Sequence, residues 1–310
     1  MIGLNTFRQR KGLAGLAGAA LFVGMFGVAT TSFAQVPLPP PSQLVPHVDL
    51  KCSPLPTGLP PLNAQLILRH LNPVLIQMQL APENVIVTAP QELCVPIFKN
   101  GVPPPANVRH YVQFFDFVCY GINTPTPPPN VPLTLRHLNP QLANAPLENI
   151  VLTNPRQLCL PVNKFNAAGP QPIPPEVRRV IEFIDLKCYD IVPPQPLNRA
   201  LRLHHLNPLL LNQPIDSVNV TIPERLCVPV QKFLPSGAGP AIPPDVLNVI
   251  RWIDIKKYQF QMVTPPPPVV NIPVRHLNPL FANTPILNLP LLPATRIGLP
   301  VAKNNVLPTP

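Results

Sequence analysis

The chain reads as all-β (mostly β), built as four tandem small antiparallel β modules with proline-rich connectors. Three observations predict this. Arg136-His137-Leu138-Asn139-Pro140 recurs as Arg69 to Pro73 and Arg275 to Pro279, with a substituted copy at His204 to Pro208, so that His70, His137, His205 and His276 are separated by 67, 68 and 71 residues. Near-constant spacing of this kind marks tandem duplication. Proline reaches 52 of 310 residues, which disfavours long helices, while 46% hydrophobic residues make the chain too apolar to stay solvated. Short apolar segments of period two lie between the proline runs, the pattern of half-buried strands.

The first 34 residues are set aside from the fold. Arg8, Arg10 and Lys11 precede the apolar run Leu13 to Ala29, and Ser32-Phe33-Ala34 supplies a small-x-small cleavage site, which together read as a signal peptide. A secreted protein, periplasmic or extracellular, is therefore expected, with no membrane span after cleavage. The remainder divides into copies at 35–114, 115–183, 184–252 and 253–310, the last one degenerate.

Each copy opens on an alternating segment: Val48 to Cys52, Phe115 to Cys119, Ile184 to Cys188 and Ile253 to Lys257. The apolar residues and the cysteine share one face, and Asp49, Asp116, Asp185 or Asp254 takes the other. A second strand runs into the signature, as in Leu133 to His137, where His137 sides with Leu133 and Leu135. Asn-Pro then supplies turn chemistry. A third strand (Glu83 to Val87, Glu148 to Leu152, Asp216 to Val220) precedes a fourth element carrying Leu93-Cys94-Val95-Pro96 and its counterparts. A Pro-Pro-acid-Val turn, as at Pro174 to Val177, suits the start of one turn of helix before the next copy.

Six cysteines occur, at Cys52, Cys94, Cys119, Cys159, Cys188 and Cys227, and the fourth copy has Lys257 and Gly298 in both cysteine places. Pairing within copies (52 with 94, 119 with 159, 188 with 227) leaves none over, whereas pairing between neighbouring copies strands Cys52 and Cys227. Spacings of tens of residues without Cys-x-x-Cys give no support to a structural zinc site. The fourth copy, lacking a staple, is expected to lean on its neighbour.

The recurring polar residues are the candidate sites. The four signature histidines read as buried groups that tie down the Asn-Pro turn, with a ligand contact as the alternative. Lys99, Lys164, Lys232 and Lys303, five residues past the second cysteine place, are candidate ligand contacts, as are the four aspartates; solvated strand positions or inter-strand pairs are the plainer reading. No Gly-x-Ser-x-Gly, His-Glu-x-x-His or phosphate-cradling loop is present, and Ser42, Ser53 and Ser217 have no recognisable base near them in sequence. No catalysis, cofactor or metal is expected.

Without the leader, twenty basic and thirteen acidic residues leave a net charge of +7. The basic pairs Arg178-Arg179 and Lys256-Lys257 are too sparse for a nucleic-acid binder. Plain solubility is the first reading of this charge, with an anionic cell-wall or extracellular polysaccharide, or another surface protein, as the functional alternative.

A strand ending in Lys187-Cys188-Tyr189, or Cys119-Tyr120, followed by Leu-Cys-x-Pro-x-x-Lys (Cys94 to Lys99, Cys227 to Lys232), resembles a tandem-repeat module of unknown function found in exported bacterial and archaeal proteins. The resemblance spans residues 47 to 303 and implies a small β-rich domain with one disulfide per copy and no known activity. The Arg-His-Leu-Asn-Pro element lies outside that module's pattern, and Lys257 and Gly298 depart from it. A non-catalytic, structural or adhesive role at the cell exterior is the expectation, with a binding module for anionic polysaccharide as the alternative and a hydrolase with an unrecognised site behind both.

Overall fold

The computed structural model describes residues 36–310; the signal peptide expected over residues 1–34 lies outside the described residues. Among the described residues, fourteen strands form one antiparallel sheet. They are β1 (Asp49–Pro54), β2 (Ala64–His70), β3 (Glu83–Lys99), β4 (Phe117–Asn123), β5 (Val131–His137), β6 (Glu148–Asn166), β7 (Gly169–Pro170), β8 (Asp185–Val192), β9 (Arg199–His205), β10 (Asp216–Phe233), β11 (Ile255–Met262), β12 (Val270–His276), β13 (Leu287–Leu291) and β14 (Arg296–Lys303). Short helices are α1 (Pro41–Leu44), α2 (Pro73–Gln77), α3 (Ala106–Val112), α4 (Pro175–Ile181) and α5 (Pro244–Ile250).

Eight strands close on themselves. β1 pairs with β3, β3 with β4, β4 with β6, β6 with β8, β8 with β10, β10 with β11, β11 with β14, and β14 returns to β1. A closed ring leaves none of its strands with an unpaired edge, and eight strands enclose a space that side chains can fill. Each copy contributes its opening strand and the strand of its second cysteine place (β14, with Gly298, in the fourth), so no copy closes alone. The expected four separate modules are thus replaced by one shared sheet, and the fourth copy gains support from both neighbours.

The third and fourth elements expected in each copy are, in copies one to three, one strand of 17 to 19 residues. Pro90, Pro155 and Pro223 sit at its register shifts. A proline in mid-strand is tolerated at such a bulge, where a ladder bond is already missing. The bulge bends the strand, so its first half lies in an outer layer and its second half in the ring.

That outer layer holds the signature strands. β2 pairs with the start of β3 in its own copy and with the end of β10 two copies away. β5 bridges β6 and β14, β9 bridges β10 and β3, and β12 bridges β13 and β6 in the same manner. Every signature strand therefore ties copies that are not sequence neighbours.

Both faces of the ring strands are buried. Toward the inside lie Leu50, Phe117, Leu186, Ile255 and all six cysteines, packed with Val108, Val177 and Val246 of the helices. Apolar residues at i, i+3 and i+4 (Val177, Val180, Ile181; Val246, Val249, Ile250) turn one helix face onto this core. These helices run seven residues rather than the single turn expected, because the spacing offers two turns of apolar face. On the outside, three further apolar clusters sit beneath the signature strands.

The disulfides Cys52–Cys94, Cys119–Cys159 and Cys188–Cys227 join directly opposed strand residues. They converge inside the ring, with Cys94 Sγ 3.8 Å from Cys119 Sγ and Cys159 Sγ 3.7 Å from Cys188 Sγ. Gly298, opposite Lys257, has no room for more: a Cβ there would meet Ile255 Cγ2 at 2.6 Å.

Candidate functional site

The polar residues that recur in sequence meet in three kinds of buried arrangement. The first joins adjacent copies. Each opening-strand aspartate pairs with the lysine of its own copy: Asp49 with Lys99, Asp116 with Lys164, Asp185 with Lys232 and Asp254 with Lys303. The asparagine of the next copy's signature completes three of them. Asn139 donates to Asp49 at 3.0 Å, Asn207 to Asp116 at 2.6 Å, and Asn72 of the first copy to Asp254 of the last at 2.7 Å. Asn278 instead donates to the Glu182 carbonyl at 2.9 Å. The same asparagines cap the turn behind them, each accepting the backbone N–H two residues on, with proline at the first turn position. One side chain therefore fixes a turn and closes the circle of copies.

Lys99, Lys164, Lys232 and Lys303 are at most 1% exposed, so they are not solvent-facing ligand contacts. Their aspartates are likewise buried, so the solvated reading is corrected and the inter-strand pair, its stated alternative, is what these residues form. Alternation assigns two faces to a strand but cannot say that both are covered.

The second arrangement joins copies two apart and holds the histidines, all four buried on the side of the signature leucines. His70 Nε2 lies 3.0 Å from the Tyr189 hydroxyl, which donates to Glu83 at 2.7 Å while Lys187 pairs with that carboxylate. His137, Tyr258, Glu148 and Lys256 repeat the set, with His137 Nε2 2.9 Å from the tyrosine hydroxyl. In the third, Ser53 replaces the tyrosine, and Lys51 reaches both Asp216 (2.5 Å) and His205 Nε2 (2.8 Å). The fourth keeps Tyr120 at 2.8 Å from His276, but Val118 and Leu287 stand where the lysine and carboxylate belong. Cation and anion are lost together there, because either alone would be a buried unpaired charge.

Burial, then Lys187, holds His70 down to about 3; burial, then Lys51, holds His205 at about 2; burial, then Lys232, holds His276 at about 4. Burial lifts Asp254 to about 6 against the pull of Lys303. The unfolded histidines, near 6.5, take up protons first as pH falls, so stability present above about pH 6.5 is lost toward the folded values. Asp254 opposes this: its cost is full above about 6 and relieved as pH falls toward 3.8. NMR isolates the histidine part. The rings of His70, His205 and His276 are expected to remain neutral down to about pH 5, and titration near the free value of about 6.5 in the folded protein would contradict their burial.

The third arrangement fills the place of the missing fourth disulfide. Lys257 Nζ lies 2.6 Å from Glu92 Oε2, 3.2 Å from Gln157 Oε1 and 3.5 Å from Cys119 Sγ. Burial raises the Glu92 pKa, but Lys257, Arg296 and Arg225 outweigh it and hold the carboxyl below its ordinary range. Arg296 stands 3.1 Å and Arg225 3.5 Å from the same carboxylate. One anion thus faces three cations at the end of the ring away from the helices.

Taken together, the eight lysines among the described residues are all buried, each paired with its own buried carboxylate. The rest of the charge, twelve arginines against five carboxylates, gives the net of +7 and belongs to the exposed and part-exposed positions. Sequence reasoning passed over Tyr120, Tyr189, Tyr258, Lys51, Lys187, Lys256, Glu92 and the acid at the head of each third strand (Glu83, Glu148, Asp216). A signal for the histidine sets existed in the joint loss of lysine at Val118 and acid at Leu287. Comparisons of the chain with family models, with curated proteins and with solved structures found no match to any of them.

Proposed function

We propose a non-catalytic structural or adhesive protein that works outside the cytoplasm, its four tandem copies fused into one rigid ring. The observation that carries this reading is the pairing of every described lysine with a buried carboxylate, four of them within a copy and four across copies, on a frame closed by three disulfides. Such an arrangement spends its ionisable groups on fixing one geometry, in the way buried charges can specify register. Disulfides persist in oxidising compartments, and among the described residues no helix is long and apolar enough to cross a membrane. The likeness of its cysteine motifs to exported repeat modules supports the same placement. The folded protein is expected to turn over none of a panel of esterase, phosphatase, glycosidase and peptidase reporters. Turnover abolished by changing one buried histidine would overturn the reading.

A second reading, a binder of anionic cell-wall or extracellular polysaccharide, draws support from the excess surface charge being carried by arginine alone. Guanidinium groups grip carboxylate and sulfate bidentately. Retention on an immobilised polyuronate at low ionic strength, lost at high salt, is the expected result. No retention at low salt would sink it.

A further inference from the structure

Seven of the twelve arginines make no ion pair among the described residues. Arg109 and Arg251 belong to the helical end. The other five stand exposed on the signature strands: Arg69 on β2, Arg136 on β5, Arg199 and Arg202 on β9, and Arg275 on β12. These strands carry no acid. The five carboxylates not buried with a lysine lie elsewhere and are each held already: Glu176 by His110, Glu182 by Arg178, Asp245 by Arg179, Asp190 by Arg156 and Glu224 by Arg296. The sides of the ring are therefore cationic without compensation, whereas its two ends are mixed.

The four sides match in height. The residue after each signature histidine donates its N–H at 3.0 Å to the proline carbonyl two residues past the second cysteine place: Leu71 to Pro229, Leu138 to Pro300, Leu206 to Pro96 and Leu277 to Pro161. Period two then turns Arg69, Arg136, His204 and Arg275 outward, away from the buried histidines. Three of these side chains rest on an aromatic ring: Arg69 over Phe233 at 4.6 Å, Arg275 over Phe165 at 5.5 Å, and His204 stacked on Phe98 at 4.6 Å. Stacking orders a guanidinium while leaving its N–H edge to meet an anion.

We propose that each side of the ring is a separate contact for an anionic polysaccharide, so that one molecule bridges several polymer chains. This rests on the polymer-binding reading and adds the place of contact and the bridging. A guanidinium grips a carboxylate through two parallel N–H bonds, and one or two arginines per side suit the spaced carboxylates of a polyuronate. Nucleic acid, with a phosphate on every residue, calls for a denser basic cluster. A bilayer is flat and meets one side of a ring at a time.

Polygalacturonate at low ionic strength is the probe, immobilised for retention and free in solution for light scattering. The folded protein is expected to be retained, and to raise the scattering of free polymer as chains are bridged. Two variants remove equal charge from exposed or part-exposed positions: Arg136→Gln with Arg275→Gln, and Arg109→Gln with Arg251→Gln. The first should weaken retention roughly tenfold, the scale of two exposed ion pairs. The second should weaken it less than about twofold, the screened effect of distant charge. Equal losses in the two variants, or retention with no rise in scattering, would overturn the proposal while leaving the polymer-binding reading in place. Tighter binding to anionic lipid vesicles or to duplex DNA than to polygalacturonate would overturn it as well. No retention of the unaltered protein would sink both.

Discussion

Replacing Asp116 with asparagine is expected to lower the folding free energy by about 3–5 kcal/mol, the cost of removing one partner of a buried ion pair. Lys164 is 0% exposed and has only that carboxylate to meet its charge, and Asn207 of the next copy donates to the same group. The change therefore strands an ammonium and loosens the joint between two copies. The loss should largely reverse in the double variant Asp116→Leu, Lys164→Met, since apolar replacement of a whole buried pair is often neutral or better. Chemical denaturation of the three proteins decides the matter. A single-variant loss of less than about 1 kcal/mol would mean a solvated pair.

Removing the middle disulfide should cost as much. Cys119–Cys159 closes a loop with a sequence separation of 40, worth roughly 4 kcal/mol on the chain-entropy view. Replacing both cysteines with alanine also takes away the sulfurs that touch Cys94, Cys188 and the Lys257 ammonium. The same double change at Cys52 and Cys94, whose separation of 42 is nearly equal, disturbs only one neighbouring bridge. The middle pair should therefore lose more stability than the outer pair, as read from denaturation midpoints. Equal losses would show that loop closure alone matters and that contact between the bridges adds nothing.

Much of the fold is legible in the residues. The signature spacing fixes four copies, the joint absence of cysteine at Lys257 and Gly298 selects the pairing, and period-two alternation places Phe117 with Cys119 and His137 with Leu135. What is not legible follows from physics that a linear pattern does not carry. Strand pairing is set by space rather than by chain distance, so nothing in Leu66 or Leu133 says that its strand bridges to a copy two places on. A proline after Thr88, Thr153 or Thr221 looks like a chain break, yet at a bulge it bends a strand that continues. The aspartates and lysines look solvated because charge normally implies water. Here the second face of each ring strand is covered by an outer layer, and the charges turn inward to one another. The histidine sets were accessible only by comparing copies: Val118 and Leu287 change in concert, as contact partners do.

Native amine acylation followed by peptide mass spectrometry tests most directly whether the cations are internal. With the disulfides intact, Lys51, Lys99, Lys164, Lys187, Lys232, Lys256, Lys257 and Lys303 should all stay unmodified until the chain is unfolded, then react together. Prompt labelling of Lys99, Lys164, Lys232 or Lys303 in the native protein would contradict the closed ring and return those lysines to the surface.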